Sequence, residues 1–369
     1  MSRKTILPSP FPDAARSRTT AFAMSQLGPT TPASDSDAEG KTSSVSSFSS
    51  AGPEWPEGYK YVGPIGRGAQ GTIREAVHPD GSMVAVKTIR KMVKLPAAVS
   101  DDDWIHSTPS ASSESSPIDG CVHSAGLESR GTAASAPCAE VAVLRSVQHR
   151  FVVRLVDVVT TKHFIHLIME KCVEPVLSMT KADPPRCMPL DRPVASAYLS
   201  QIMEGVQYMH SKRIIHGDLK PDNILISADG SIRIADFGCS VEVTEGVSTR
   251  SLNGSRLFMS PELHLMQDSR GTVHAAPIMR STGTVDEELA RGCDADVWAI
   301  GVIAWYMVFG SCPFPGVTKE EIVSSIQGCS VAYRDGCVDP KWMKFFRRIF
   351  VNSDNRVRLT ELAAMLPLK

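Results

Sequence analysis

Two short stretches of the sequence place acids, a lysine and a carboxamide at spacings suited to phosphate chemistry. The first, IIHGDLKPDNIL at 214–225, contains Asp218, Lys220 and Asn223, and the second, IADFG at 234–238, contains Asp236. Each stretch follows or lies between strand-like apolar residues. Carboxylate and carboxamide oxygens suit Mg²⁺, and a lysine neutralises phosphate charge. The residues therefore predict a site that handles a metal-bound phosphate.

A stretch nearer the N-terminus predicts a second phosphate-binding element. Gly66, Gly68 and Gly71 form a G-x-G-x-x-G pattern, in which the missing side chains let backbone amides approach phosphate oxygens. Strand-like residues follow, then a turn at 79–81, then a third strand that ends at Lys87. A dinucleotide-binding fold has a helix directly after its glycines, so this order argues against a Rossmann domain.

These motifs resemble those of serine/threonine protein kinases. The segment 216–223 is similar to the catalytic loop of that family, Asp-Phe-Gly at 236–238 to its magnesium-binding motif, and Lys87 to its phosphate-binding strand lysine. A lysine two residues after Asp218 is typical of serine/threonine rather than tyrosine kinases. Glu140, in a predicted helix, resembles the glutamate that pairs with the strand lysine.

The resemblance implies an α+β, two-lobed protein-kinase fold with a small β-rich N-lobe and a larger, mainly helical C-lobe. It covers about residues 59–366 and is closest, over 140–155 and 214–237, to the calcium/calmodulin-dependent kinase group, including its upstream kinases. The expected divisions are a disordered Ser/Pro-rich extension at 1–55 and a kinase domain at 56–366, with N-lobe 56–169, disordered insert 96–137, hinge 170–173, C-lobe 174–366 and a second insert at 264–292.

The resemblance also implies a role for each residue. Asp218 would orient the substrate hydroxyl and accept its proton, while Lys220 would neutralise charge on the transferred group. Asn223 and Asp236 would hold Mg²⁺. The remaining implied catalytic residues are Lys87 and Glu140, and the implied ATP-binding residues are Ile65, Gly66, Gly68, Gly71, Ile73, Ala85, Lys87, Met169, Glu170, Cys172, Leu225 and Asp236.

The segment after the magnesium-binding motif resembles that of kinases with polypeptide substrates. Ser255 stands where a hydroxyl would touch the catalytic loop, and 259–262 resembles the Ala-Pro-Glu motif that closes the activation segment. Glu262 is expected to form a buried, structural ion pair with Arg358. The following segment, 294–301, resembles the buried helix on which a kinase C-lobe is built.

Three departures from the family pattern keep an alternative open. Gly217 replaces the arginine that would receive an activation-loop phosphate, Gln70 replaces an aromatic residue at the tip of the glycine loop, and Ser260 replaces alanine. Together with the two inserts, these changes allow a pseudokinase scaffold as the alternative to an active enzyme. A kinase of small molecules lacks support, because the activation segment resembles one built for a polypeptide.

Composition sets the expectations for partners. The 369 residues carry a net charge of −1, which gives no whole-chain argument for nucleic-acid or membrane binding, and nine scattered cysteines fit reduced thiols in an intracellular, cytoplasmic protein. Asp222 hints at protein substrates with basic residues near the target serine or threonine. The basic, amphipathic segment 341–350 has the composition of a calmodulin target, but a core helix is expected there. Because the chain stops after the last expected helix, direct calmodulin control is not expected.

Overall fold

The computed structural model describes residues 54–68, 71–91, 136–244, 255–268, 284–333 and 339–367. The predicted disordered extension at 1–55 and the insert at 96–137 lie almost entirely outside these ranges. The described residues form a β-sheet lobe followed by a mainly helical lobe. The α+β, two-lobed fold predicted from the sequence is thereby confirmed.

The N-lobe is an antiparallel five-stranded sheet in the order β1-β2-β3-β5-β4. Its strands are β1 (Lys60–Gly68), β2 (Gly71–Val77), β3 (Met83–Arg90), β4 (Leu155–Thr160) and β5 (Phe164–Glu170). Strand side chains alternate between faces, so Val84, Val86 and Thr88 face away from Ala85 and Lys87. Helix α1 (Ala136–Ser146) supplies Glu140, which meets Lys87.

The outer face of this sheet is sealed by the residues just before β1. Tyr59 belongs to a buried cluster with Ala76, Val84, Val86 and Ile168, and Trp55 packs against it. The Tyr59 hydroxyl also donates to Asp157 Oδ2 at 3.2 Å, and the Trp55 indole donates to the Tyr59 carbonyl at 2.7 Å. Burial of this apolar face fixes the sheet, so the opposite face can present Ala85 and Lys87 at constant positions.

The C-lobe is built around one long apolar helix. Its helices are α2 (Arg192–Ser211), α3 (Pro261–Asp268), α4 (Val285–Phe309), α5 (Lys319–Gln327), α6 (Pro340–Ile349) and α7 (Leu359–Ala364). Among the described residues, α4 alone is long and apolar enough to cross a membrane, but 83% of its apolar window is buried inside the protein. Trp298 and Trp305 pack against Phe346 and Phe350, so α4 serves as the centre of a packed core.

Helix α4 begins well before the predicted position near 294. Thr284 accepts a hydrogen bond from the Glu287 amide, and the Glu287 side chain accepts one from the Thr284 amide, a capping box that fixes the helix start. The predicted second insert, 264–292, therefore overlaps the end of α3 and the first turns of α4, and 269–283 lie outside the described residues.

The basic segment 341–350 behaves as expected for a core helix. Trp342, Phe345, Phe346 and Ile349 of α6 are buried. The basic side chains lie on the opposite, exposed face of the helix: Lys341, Lys344, Arg347 and Arg348. A helix whose apolar face is already packed into the core does not present that face to a partner.

The predicted pair between Glu262 and Arg358 was wrong, because Arg356 makes it. Arg356 Nη1 donates to Glu262 Oε1 at 2.7 Å and Nη2 to Oε2 at 3.1 Å, with the guanidinium fully buried. Its N–H groups also reach the carbonyls of Asp294, Ile349 and Val351. A 3-10 turn over 353–355 turns position 356 inward, whereas Arg358 is the exposed N-cap of α7.

We expect Arg356→Leu to lower the free energy of unfolding by about 3–5 kcal/mol, because it leaves the Glu262 carboxylate buried without its cation. Urea denaturation followed by tryptophan fluorescence measures the loss. Arg358→Leu is the matched control and should change stability by less than about 0.5 kcal/mol, since the side chain is exposed. Equal losses in the two variants would contradict the assignment.

Candidate active site

Lys87 joins the two lobes through a buried ion triad. Its Nζ lies 2.7 Å from Glu140 Oε1 on α1 and 2.7 Å from Asp236 Oδ1 after β9 (Ile232–Ile234). Burial alone would lower the pKa of Lys87, but the two carboxylates outweigh this effect and raise the pKa above its usual value. Lys87 is therefore a cation held in place from both sides, as anion binding requires.

Asp218 is held by contacts to both of its carboxylate oxygens. Oδ1 accepts the Ser255 backbone N–H at 3.0 Å, and Oδ2 accepts Lys220 Nζ at 2.7 Å and Asn223 Nδ2 at 3.3 Å. Asn223 Nδ2 also donates to the Asp218 carbonyl at 2.7 Å. The contact predicted for Ser255 is thus present, but its backbone amide makes it. Ser255, Lys220 and Asn223 thus orient the carboxylate before any substrate binds.

The backbone on which Asp218 sits is anchored from α4. Asp296 Oδ2 accepts the His216 amide and Oδ1 the Gly217 amide, each at 3.0 Å, and Oδ2 also accepts His210 Nε2 of α2 at 2.9 Å. Burial by itself would raise the pKa of Asp296, but the His210 contacts outweigh it and keep the pKa below the ordinary value. A fully buried carboxylate therefore sets the start of the catalytic loop.

Asn223 and Asp236 fit the metal-binding role implied by the resemblance. The Asn223 amide nitrogen points at Asp218, which leaves its carbonyl oxygen for another ligand. Asp236 is in the left-handed region, at φ 64°, uses Oδ1 for Lys87, and keeps 41% of its side chain exposed. Within the described ranges no cluster of three His, Cys, Asp or Glu residues forms a metal cage. A cation held here would thus need further oxygens from outside the protein, as a nucleotide phosphate provides.

The glycine-rich turn begins where the sequence placed it. Gly66 pairs with Ile73 and Gly68 with Gly71 in the hairpin between β1 and β2. Gly71 has φ 153°, and a Cβ there would lie 2.2 Å from the Thr88 carbonyl oxygen, so this position accepts glycine alone. The tip residue Gln70 lies outside the described residues. The hairpin can therefore bring backbone amides over the sheet next to Lys87.

The residues expected around adenine come together at the edge between the lobes. Ala85 pairs with Met169 across β3 and β5, and Ile73 pairs with Lys87 across β2 and β3. Leu225 on β8 (Ile224–Ile226) pairs with Pro175, which lies two residues after the hinge at 170–173. Cys172 of the hinge is buried. Ile65 is 46% exposed on β1. The structure thus places apolar side chains from both lobes beside the hinge backbone.

The hinge residue Glu170 has a partner that sequence reasoning missed. Its Oε1 accepts the Arg154 amide at 2.8 Å and Arg233 Nε at 3.1 Å. Arg233 lies on β9 three positions before Asp236, so the hinge and the strand that carries Asp236 share one ion pair. Asp296 and His210 were also missed. For Asp296 a signal existed, because an acid inside an apolar helix must find partners.

The comparison with known proteins agrees with this geometry. Residues 127–360, more than half of the chain, match the family model of the protein kinase domain. The chain belongs to the protein kinase family. The matched segment contains Glu140, the catalytic loop and Asp236, whereas the glycine-rich hairpin and Lys87 precede it. For these two elements the structure supplies the evidence.

Three curated relatives illustrate the similarity. Death-associated protein kinase 2 of Homo sapiens is 30% identical over 227 residues, which are 60% of this chain and 55% of that protein. NUAK family SNF1-like kinase 2 of Rattus norvegicus is 26% identical over 308 residues, 83% of this chain and 39% of the relative. Sperm motility kinase Z of Mus musculus is 30% identical over 187 residues, 51% of this chain and 33% of the relative.

The chain spans between about a third and about half of the length of these relatives. The first two belong to the calcium/calmodulin-dependent kinase group, so the resemblance predicted from the motifs is confirmed. The similarity therefore covers only part of each relative.

The His210–Asp296 pair predicts a pH-dependent stability. Burial would lower the pKa of His210, but its hydrogen bond to Asp296 outweighs burial and raises the pKa from 6.5 to about 9. Because the folded pKa is the higher one, the stabilisation is fully present below pH 6.5 and is lost as the pH rises through 9. We expect wild type to lose on the order of 2–3 kcal/mol more than His210→Gln across this window.

Urea denaturation at intervals from pH 6 to pH 9.5 measures this difference as the free energy of unfolding. Glutamine keeps an N–H donor for Asp296 but does not titrate, so the comparison isolates the imidazole. Cys293, the other titratable group that faces His210, stays in both proteins. Parallel pH profiles for the two proteins would refute a charged His210.

Proposed function

We propose that this chain is a serine/threonine protein kinase, which transfers the γ-phosphoryl group of ATP to hydroxyl groups of protein substrates. The observation that carries the proposal is the simultaneous assembly of two sets of contacts. Lys87 bridges Glu140 and Asp236 at 2.7 Å each, and Asp218 is oriented by Ser255, Lys220 and Asn223. Phosphoryl transfer depends mainly on such positioning and charge neutralisation.

The roles follow from the contacts. Asp218 orients the substrate hydroxyl and accepts its proton, and Lys220 at 2.7 Å places positive charge beside the group being transferred. Lys87 binds the α- and β-phosphates while Glu140, almost fully buried, keeps its ammonium in place. Asn223 and Asp236 hold Mg²⁺, which would neutralise phosphate charge when bound. Each role uses a side chain that the fold already restrains.

The alternative is a pseudokinase scaffold that binds nucleotide or partners without phosphoryl transfer. Gly217, Gln70 and Ser260 are the departures that suggest it. Gly217 and Ser260 leave every side chain in the contacts around Lys87 and Asp218 in place, and Gln70 lies outside the described residues. Ser260 is fully buried at the start of α3, where its carbonyl accepts the His264 amide, so its position is structural. The geometry thus favours the enzyme.

Transfer of labelled phosphate from ATP to a serine/threonine peptide library tests the proposal. We expect Lys87→Met and Asp218→Asn to lower kcat by at least about 100-fold, because each removes an oriented charge from the reacting groups. Arg347→Ala on the exposed face of α6 serves as the control and should retain wild-type activity. Wild-type transfer no greater than that of the two variants, with either Mg²⁺ or Mn²⁺, would favour the scaffold.

We further propose that catalysis does not require activation-loop phosphorylation. Gly217 offers no cation beside Asp218, so a phosphate docking there would lack its arginine. The glycine is also suited to its conformation, because φ is 79° and a Cβ would lie 2.8 Å from the Cys239 carbonyl oxygen. The hydrogen bonds from the His216 and Gly217 amides to Asp296 support the proposal, because they order the start of the loop without using a cation at position 217.

Joint replacement of Ser248, Thr249 and Ser251 by alanine tests this independence. We expect kcat/KM of the triple variant to stay within about twofold of wild type, because the Asp296 contacts that order the loop remain. Mass spectrometry of the wild-type protein before and after phosphatase treatment establishes its phosphorylation state. A drop of tenfold or more in both the triple variant and the dephosphorylated wild type would overturn the proposal.

The finer expectations complete the proposed function. Exposed Asp222 supports substrates with basic residues near the target hydroxyl. We place the protein in the cytoplasm, acting on protein substrates rather than on nucleic acid or membranes. Direct calmodulin control is not proposed, because the apolar face of α6, the most calmodulin-target-like segment, is buried in the C-lobe core.

A further inference from the structure

An arginine directly follows the residue whose backbone amide binds the catalytic carboxylate. Asp218 Oδ1 accepts the Ser255 amide at 3.0 Å, so the chain at 255–256 passes directly beside Asp218. Arg256 follows, and its side chain is exposed. The mechanism proposed above does not use this arginine. Its position beside the acceptor site therefore calls for a separate explanation.

The backbone at Arg256 is fixed, although its side chain is exposed. The Arg256 carbonyl accepts His264 Nε2 of α3 at 2.9 Å, and His264 is fully buried. Arg256 also begins a 3-10 turn that ends at Phe258, which is buried near Tyr306 of α4. The guanidinium is thus attached to a rigid segment, which limits the entropy lost when it binds an anion.

No carboxylate neutralises Arg256 among the residues that the structure describes. The neighbouring acids are committed elsewhere: Asp218 to Lys220 and Glu262 to Arg356. An exposed arginine can pair with a carboxylate bidentately, in a fork that lysine cannot form. An exposed, unpaired guanidinium on a fixed backbone segment beside an acceptor site is suited to recognise an anionic group on the substrate.

The two segments that contact Asp218 each carry an exposed charged residue. Asp218 Oδ2 accepts from Lys220 and Asn223, and exposed Asp222 lies between these two in the chain. Exposed Arg256 belongs to the segment that contacts Oδ1. The acceptor site is thus bordered by one segment with an exposed acid and another with an exposed arginine.

We propose that Arg256 is a specificity-determining residue that selects an acidic side chain near the target serine or threonine. The inference rests on the proposed kinase function. An arginine side chain reaches about 6–7 Å, and an extended peptide advances about 3.3–3.6 Å per residue. The selected acid therefore lies within about two positions of the target hydroxyl.

The test uses serine peptides with Glu, Ala or Lys at each of the two positions on either side of the acceptor. For the full-length wild type we expect Glu to raise kcat/KM three- to tenfold over Ala at one of these positions, mainly through KM. Arg256→Glu should reverse this preference in favour of Lys, and Arg256→Gln should abolish it. Arg347→Glu, with the same charge change on the far α6, should leave it unchanged.

The outcomes separate the two proposals. Transfer to every peptide without a Glu preference, or with one that Arg256→Glu leaves intact, would overturn the role of Arg256 while the kinase function stands. No transfer to any peptide would instead overturn the kinase function.

The preference must also persist when Ser248, Thr249 and Ser251 are alanine. Its loss there would assign Arg256 to a phosphate of its own chain and overturn the proposal. Activity on the Ala peptides shows that each variant is folded.

Discussion

The structure of the site depends on one buried carboxylate. Asp296 lies in the apolar centre of α4, where an isolated charge would be costly, and it is satisfied by the His216 and Gly217 amides and by His210. Because buried aromatic residues of the C-lobe pack against Trp298 and Trp305 of α4, the helix cannot shift without disturbing the core. The catalytic loop thereby inherits the rigidity of the core.

This anchoring explains why Gly217 is compatible with an ordered loop. A glycine usually adds backbone freedom, but here the His216 and Gly217 N–H groups donate hydrogen bonds to Asp296 and hold Gly217 at φ 79°. A larger residue would meet the Cys239 carbonyl and would have to adopt a left-handed conformation. Compared with the arginine of the family pattern, Gly217 therefore relieves backbone strain but provides no positive charge. Order in the loop comes from Asp296 and does not need an arginine at 217.

The sequence was most informative where chemistry restricts residue type at short spacing. Asp218, Lys220 and Asn223 lie in one loop, and the structure brings them into contact. Lys87 and Glu140 are far apart in sequence and were paired only through family resemblance, since no local pattern links a strand lysine to a helix 53 residues later. Residue spacing therefore predicted the contacts within the catalytic loop, and family resemblance predicted the ion pair between Lys87 and Glu140.

Prediction failed where the outcome depends on local turns. Glu262 was predicted to pair with Arg358, but Arg356, two residues earlier, makes the contact, because the 3-10 turn at 353–355 turns position 356 inward. The start of α4 was missed for a different reason. The Thr284–Glu287 capping box was readable, but family resemblance drew attention to the apolar residues that follow 294. The predicted insert at 264–292 therefore includes helical residues at both of its ends.

The two carboxylates that bind Lys87 differ in exposure, and this difference suits a lysine that must also bind phosphate. Lys87 is bound to two carboxylates, of which Glu140 has 3% of its side chain exposed and Asp236 has 41%. If Asp236 also bound another cation, its interaction with Lys87 would weaken, whereas buried Glu140 pairs with no cation other than Lys87 among the described residues. Glu140 thus keeps its ion pair with Lys87, whereas Asp236 can divide its charge between Lys87 and a second cation. An asymmetric pair of carboxylates lets the ammonium turn toward phosphate without leaving the site.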